Sequence, residues 1–406
     1  MHPIISALKY HKATVALVVL EVALSCAIVT NALFLIGDRL SAMQITTGVA
    51  DQSLVWVTSQ SLGNDSKSTD AGSRMEVDLA ALRGMPGVRQ AVMVSALPML
   101  GSSWISGVST QPGLSKPTQT GINYVCGTPG YVGALGVKLI EGRDFHPQEY
   151  VDYTPFGNQP PPPAVIVTRT LAQRLWPGQS ALGKPVFLGE QGKYVMHVVG
   201  VVGHFLSPSP GNPATNEYNM LLPVRSMPSG MYVLRVQPTA RDAVLRDIPA
   251  VLNRVSDDRI ITGSKSYVQS VQDYFHNDRA MIWLLLAVIG CLLAITALGV
   301  VGLSSFWVQQ RTHSIGIRRA IGARRGDIMR YFQIENFILV SGGIGLGMAL
   351  ALALNLLLMK HYELPRLPLC YLLLGAVVLW ALGQLAVLGP ALRAAAVPPV
   401  VATRSV

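Results

Sequence analysis

Gly178-Gln179-Ser180-Ala181-Leu182-Gly183-Lys184 has the GxxxxGK spacing with which a loop cradles nucleotide phosphates. That chemistry also needs Ser or Thr after the lysine, to hold magnesium, and a helix starting there. Pro185 follows instead, and then the apolar run Val186-Phe187-Leu188 that predicts a strand. The segment therefore reads as a turn, and nucleotide binding by this chain is not expected. Arg325-Gly326-Asp327 spells an adhesion tripeptide, but it lies in a loop expected to face the cytoplasm. The eight histidines form no HExxH or related cluster, so no metal site is expected. Three cysteines, Cys26, Cys291 and Cys370, fall in or at the edge of apolar runs. Cys126 stands alone outside them, which excludes a disulfide framework. As the one cysteine outside the spans, Cys126 is expected to be reachable by membrane-impermeant thiol reagents. No nucleophile–base pair stands out, and no catalytic residue is assigned.

Two features do carry functional weight. Glu21 interrupts an apolar run and is expected to be the one acid buried in a span, where such a residue is costly and is functional or hydrogen-bonded. The stretch Gln309–Ile328 carries Arg311, Arg318, Arg319, Arg324 and Arg325 against the single acid Asp327. On a helix Ile317, Ala320 and Ile321 share one face, with Arg318 and Arg325 beside it. Such a helix is either an interfacial anchor, with its arginines on lipid headgroups, or a docking element for a partner.

The elements that must hold these residues are mostly apolar. Half of the 406 residues are hydrophobic and only 13% charged, against ~25% in an average globular protein. Ala13–Ile36, Met281–Val308, Phe332–Leu358 and Leu369–Leu388 are each long enough for a bilayer core, which needs ~20 residues. A cleaved signal is not expected at the N-terminus, because the run is long and ends in Gly37-Asp38-Arg39. A lipoprotein cut before Cys26 is disfavoured by Glu21 within the would-be apolar core. Gly343 and Gly347 in the third span form a small-xxx-small face for close helix packing, within one chain or across a dimer.

Charge sets the expected orientation. Lys9 and Lys12 precede the first span, six arginines (the five above and Arg330) lie between the second and third, and Arg393 and Arg404 follow the fourth. The third-to-fourth connection has only Lys360 and Arg366, against Glu363. The positive-inside rule then puts both termini and the 309–331 loop in the cytoplasm. The net charge of +10 follows largely from this topology, and a nucleic-acid partner is not expected.

Between the first two spans, residues 37–278 have ordinary polarity. Leu54–Val57 reads as a strand, the stretch after Ser73 as a helix stopped by Gly84-Met85-Pro86-Gly87, and Val88–Ala96 as a strand. The order recurs as strand Met231–Val236, helix Ala240–Val255 and strand Arg259–Thr262. These two βαβ-like units bracket an insertion, roughly 100–222, with strands at Ala164–Thr168, Val186–Leu188 and Tyr194–Val202 and a proline loop at Pro160–Pro163. A further helix, Ser266–Asn277, leads into the second span. The expected fold is an α-helical membrane protein with four transmembrane helices plus a two-lobed α+β periplasmic domain inserted between the first and second spans. Its divisions are 1–36 for the N-terminus and first span, 37–278 for the domain and 279–308 for the second span. The loop is 309–331, the third span 332–358, the fourth 369–388 and the tail 389–406.

The loop resembles the R-T-R-E-I-G-I-R-R-A-L-G-A-x-R-x-D-I signature of MacB/FtsX-type permeases. Arg311, Thr312, Ile315, Gly316, Ile317, Arg318, Arg319, Ala320, Gly322, Ala323, Arg325, Asp327 and Ile328 match it. Gly130-Tyr131, Leu135-Gly136, Glu141-Gly142-Arg143-Asp144-Phe145, Leu171–Gly178 and Leu182-Gly183-Lys184 are similar to motifs of that family's periplasmic domain. Gly389–Ala395 resembles its exit from the last span. The acidic position of the signature is Ser314 here, preceded by His313 in place of arginine.

The resemblance implies a non-catalytic permease subunit of an ABC-type exporter that expels substrate from the periplasm or outer leaflet. It implies docking on an ABC ATPase through Arg311, Ile315, Gly316, Ile317, Arg318, Arg319, Ala320, Ile321, Gly322 and Arg325. That ATPase, on a separate chain, would hold ATP and magnesium, and this chain would bind no cofactor. A second permease, identical or not, would complete a dimer in the bacterial inner membrane, and family members often add a periplasmic adaptor and an outer-membrane channel. One alternative keeps the permease fold but extracts lipoproteins or regulates cell-wall hydrolases. Another is a membrane-anchored sensor, which would need an output module larger than the cytoplasmic segments provide.

Overall fold

The computed structural model describes residues 12–61, 68–101, 103–114, 116–153, 159–189, 192–362 and 366–396. Of the charges that set the expected orientation, Lys9, Glu363 and Arg404 lie outside the described residues. The chain divides into two compact units, Ile45–His276 and the pair Met1–Gln44 with Asn277–Val406.

In chain order the helices are α1 (Lys12–Met43), α2 (Ser68–Arg83), α3 (Tyr131–Leu135), α4 (Arg169–Leu175) and α5 (Arg241–Val255). They continue with α6 (Tyr267–Tyr274), α7 (His276–Gln310), α8 (Thr312–Ala320), α9 (Arg325–Tyr362) and α10 (Leu369–Ala396). The strands are β1 (Leu54–Ser61), β2 (Val88–Val94), β3 (Trp104–Val108), β4 (Gln119–Gly127), β5 (Leu139–Gly142) and β6 (Ala164–Thr168). After them come β7 (Pro185–Leu188), β8 (Tyr194–Val202), β9 (Asn219–Pro223), β10 (Met231–Val236) and β11 (Arg259–Ser266).

Among the described residues four helices, α1, α7, α9 and α10, are long and apolar enough to cross a membrane, as the hydropathy predicts. They are apolar on all sides, so no amphipathic stripe tells which face packs. Packing is decided by small residues and a few polar contacts. Helix α1 is the most enclosed of the four, lying against both α9 and α10, whereas α7 exposes Trp283, Leu284, Ile295 and Leu298. Inside the bundle Asn31 donates to the Ala351 carbonyl, Asn336 to the Gly383 carbonyl and Trp380 to the Ser341 hydroxyl. In hydrocarbon each such bond joins helices because the alternative is an unpaired polar group.

The inserted domain is α+β and two-lobed, as expected. The βαβ unit at its start and the one at its end interleave in the order β11-β1-β10-β2, with every neighbouring pair antiparallel. This is the arrangement of a split βαβ, ferredoxin-like lobe, with α2 and α5 packed beside each other. Met75, Leu79 and Leu82 of α2 and Val244, Ile248 and Leu252 of α5 recur at helical spacing and are buried in one core. A single residue pair, Val94 with Gly127, joins β2 to β4 and carries the sheet into the second lobe. There β4 and β9 run parallel, as do β6 and β8, while β9–β6 and β8–β5 are antiparallel. All five residues of β6 and of β9 are buried, because both faces of these strands are covered.

One buried ion pair ties the ferredoxin-like lobe together. Asp78 of α2 accepts from Arg259 Nη1 at 2.7 Å and from the Tyr232 hydroxyl at 2.7 Å, so one carboxylate binds helix α2 to β10 and β11. Both charged side chains are almost wholly enclosed. Asp78→Ala should therefore leave an uncompensated guanidinium and destabilise the domain by about 3–5 kcal/mol. Tyr232→Phe, which removes one hydrogen bond, should cost about 1 kcal/mol. The ordering is checked by the thermal midpoint of the domain's unfolding in each purified full-length variant.

Cys126 departs from the expectation. It lies inside β4, fully buried, and desolvation pushes its thiol up to about 12. The thiolate is the reactive form, and neither charge nor reagent reaches this site. Membrane-impermeant maleimide should leave Cys126 unmodified in the folded protein and label it once the domain is denatured; labelling at comparable rates in both states would contradict this packing.

Candidate functional site

The basic loop folds as a corner, a short helix and a second corner. Helix α7 stops at Gln310, and Arg311, with φ −101° and ψ 6°, turns the chain into α8. Thr312 Oγ1 donates back to the carbonyls of Val308 and Gln309 at 3.0 and 2.9 Å. Helix α8 ends at Ala320, and two residues on Gly322 turns the chain with a φ of 108° that favours glycine, its N–H reaching the Arg319 carbonyl at 3.2 Å. The start of α9 is capped by Asp327, whose carboxylate accepts the Arg324 N–H at 3.0 Å. The apparent adhesion tripeptide is thus a helix start, and its aspartate is spent on the backbone.

The residues expected to dock a partner divide into two faces. Ile315 and Gly316 are buried within the chain; Ile315 packs with Val308, Ile328, Phe332, Ala391 and Ala394. Of the expected docking residues these two thus pack within the chain, and their side of α8 holds the helix on the bundle. Arg319, half-buried, donates to the Ala395 carbonyl near the C-terminus of α10 at 3.2 Å, where the helix dipole favours a cation. Arg318 is exposed with its guanidinium over the Tyr331 ring, 5.2 Å from the centroid. Ala320, Gly322 and Arg325 are exposed. Ile317 is 41% and Ile321 82% exposed, so two large aliphatic side chains sit uncovered among arginines. Between α8 and the first turns of α9 lies an open cleft of about 550 Å³, lined among others by Arg311, Ser314, Arg318, Ile321, Asp327 and Tyr331.

Arg311 faces inward. Its Nη1 lies 3.0 and 2.9 Å from the two carboxylate oxygens of Glu335 on α9, and its guanidinium sits over the Trp307 ring, 5.6 Å from the centroid. Glu335 is 1% exposed at its side chain. The expectation that Glu21 is the one buried acid of the spans is thus corrected, since Glu335 is the more enclosed. It lies only three residues beyond Phe332, inside the third apolar run. The readable signal was a set of arginines that have one acid among them and need another nearby.

Glu21 is half-buried on α1, with its carboxylate against Gly299 of α7. A Cβ at position 299 would stand 2.5 Å from Oε2. One turn along, the Ser25 and Thr296 hydroxyls meet at 2.7 Å, so a polar seam runs between α1 and α7. Gly343 and Gly347 pack within the chain: a Cβ on Gly343 would meet Val22 Cβ at 2.7 Å, and one on Gly347 would meet Cys26 Cβ at 2.5 Å. Among the described residues no group of His, Cys, Asp and Glu could hold a metal ion. Lys184 bonds Gln179 and lies over Trp176, and strand β7, not a helix, follows it.

Comparison with known proteins fits this arrangement. The family model "MacB-like periplasmic core domain" matches residues 15–251, and "FtsX-like permease C-terminal" matches residues 286–399. The macrolide export ATP-binding/permease protein MacB of Sodalis glossinidius is 26% identical over 278 residues, 63% of this chain and 40% of that protein. The uncharacterized ABC transporter permease YknZ of Bacillus subtilis is 23% identical over 279 residues, covering 66% of this chain and 63% of that one. The chain thus spans less than two thirds of either relative. The periplasmic region of MacB from Actinobacillus actinomycetemcomitans aligns over 58% of this chain and 98% of its own, at 14% identity and a TM-score of 0.35. At that score the assignment rests on the family models. With one of them spanning more than half of its length and the other the loop and last two spans, the chain belongs to the MacB-like, FtsX-like family of ABC transporter permeases.

Proposed function

We propose that this chain is the permease of an ABC-type exporter and that α8 is its docking helix for an ATPase on a separate chain. The observation that carries this reading is the pair Ile317, on α8, and Ile321, just past its end, left uncovered while the other face of the helix is fastened to the bundle. A short helix with an apolar ridge flanked by arginines suits a groove with apolar walls and an acidic rim. ATP and magnesium then belong to the partner, and this chain supplies no catalytic group. In this reading the ATPase moves α8, the spans move with it, and the inserted domain acts on substrate in the periplasm or outer leaflet. A second permease copy, identical or related, completes the assembly, for which α7 offers an exposed apolar surface within the membrane. A periplasmic adaptor and an outer-membrane channel are further partners of the same scheme. The protein sits in the bacterial inner membrane with both termini and α8 in the cytoplasm.

Orientation is tested with single cysteines in a Cys291→Ser, Cys370→Ser background. Asp242→Cys, at a position 85% exposed on α5, should react with membrane-impermeant maleimide in cells with a permeabilised outer envelope. His313→Cys, exposed on α8, should react only after the inner membrane is opened. The reverse pattern would place α8 away from any ATPase.

Docking is tested by Ile317→Asp. A carboxylate forced into a desolvated contact costs several kcal/mol, which lowers affinity by roughly a thousandfold. Membrane insertion and Asp242→Cys labelling should stay normal while the ATPase no longer co-purifies. If α8 is instead a lipid anchor, Ile317→Asp retains its ATPase and loses surface attachment alone.

A further inference from the structure

Helix α8 has nine residues, too few to be stable in isolation, so its position depends on what fastens it. Three of its attachments lie at or beyond Ile315: the Ile315 cluster, Arg318 over Tyr331, and Arg319 on the Ala395 carbonyl. They tie the helix to α9 and α10, with Val308 of α7 also in the Ile315 cluster. At the N-terminal end, Thr312 bonds only backward, to the last carbonyls of α7. The link from that end to α9 is Arg311 on Glu335. This contact therefore decides whether the leading end of α8 follows α7 or α9.

We propose that Glu335 is the positioning residue of the docking helix: through Arg311 it locks the leading end of α8 to α9, so that displacement of α8 is delivered to the third span. The consequence for transport rests on the docking reading above, whereas the clamp itself does not. A carboxylate enclosed to this degree at the end of an apolar span is costly unless paired, and Arg311 is its charged partner at 2.9 and 3.0 Å. The guanidinium is in turn seated on Trp307, whose indole N–H is buried and makes no hydrogen bond. A ring bound to no polar group of its own serves here as a flat support, and it fixes the direction from which Arg311 meets the acid. From Gly343 and Gly347 onward α9 is packed directly on α1, so the same rigid helix that receives α8 also touches the first span.

The test uses the full chain in lipid nanodiscs, in the Cys291→Ser, Cys370→Ser background. Spin labels go on His313→Cys in α8 and Arg330→Cys in α9, both exposed positions. With Glu335 present the distance distribution should be single and narrow. Glu335→Gln should broaden or split it, and the exchanged pair Arg311→Glu with Glu335→Arg should narrow it again. Arg311→Lys keeps the charge and should broaden it less, which answers the same question if Glu335→Gln does not accumulate. An unchanged narrow distribution in Glu335→Gln overturns the proposal, as does a broadening that the exchanged pair leaves in place. If Glu335→Gln holds α8 in its competent position about a tenth of the time, affinity for the purified ATPase falls about tenfold. Ile317→Asp should leave the spin-label distance unchanged. Should Ile317→Asp keep full ATPase affinity while Glu335→Gln still broadens the distance, the docking reading falls and the clamp stands.

Discussion

The close approach of α1 to α9 is the contact on which the membrane unit depends. Their contacting residues are more than three hundred apart in the chain, and lipid supplies no hydrophobic drive to bring them together. What brings them together is shape. With hydrogen at Gly343 and Gly347, the α9 backbone meets Val22, Ala23 and Cys26 directly, and any larger residue would force the helices apart. Asn31 then bonds across to the Ala351 carbonyl further along the same seam. With α1 held there, α10 closes on both, and α7 is left at the margin with its apolar surface uncovered.

The inserted domain solves a separate problem, that of interrupting a helical bundle without unravelling itself. Its first and last βαβ units interleave in one antiparallel sheet, so the strand that opens the domain and the strand that closes it are neighbours. Val55 lies opposite Ser266. Both connections to the spans therefore leave from adjacent strand ends, and the whole second lobe hangs on a loop of that sheet. Asp78, shared by Arg259 and Tyr232, holds α2 against the two closing strands. The same architecture explains Cys126. A strand paired on both sides and covered on both faces leaves no path for a reagent.

The basic segment shows how one short sequence serves two directions at once. Arg311, Ile315 and Arg319 face inward and fasten α8, Arg318 stays exposed while stacking on Tyr331, and Ile317, Ile321 and Arg325 are left outside. Arginine suits both duties, since its planar, permanently charged head can stack on Trp307 or Tyr331, bond a carboxylate, or remain in water.

Much of this protein was legible in the amino-acid order alone. Four apolar runs of bilayer length, a polar segment between the first two and a recurring strand–helix–strand pattern determine the architecture, because hydrophobic length and period are local properties. The phosphate-loop spacing was also decided locally, by Pro185 after Lys184. The loop's resemblance to the permease signature, borne on residues from Arg311 to Ile328, pointed to the family. What only the tertiary structure decided is which side of each element is covered. A helix apolar all round has no face in sequence, so Gly343 and Gly347 could have served a neighbour in the same chain or in another. On α8, Ile315 and Ile317 are the same residue type two positions apart, yet one is enclosed and the other open. Glu335 is not legible in the order alone because its partner stands 24 residues away across a corner, and an acid at the end of an apolar run shows its pairing only once α7, α8 and α9 are folded together.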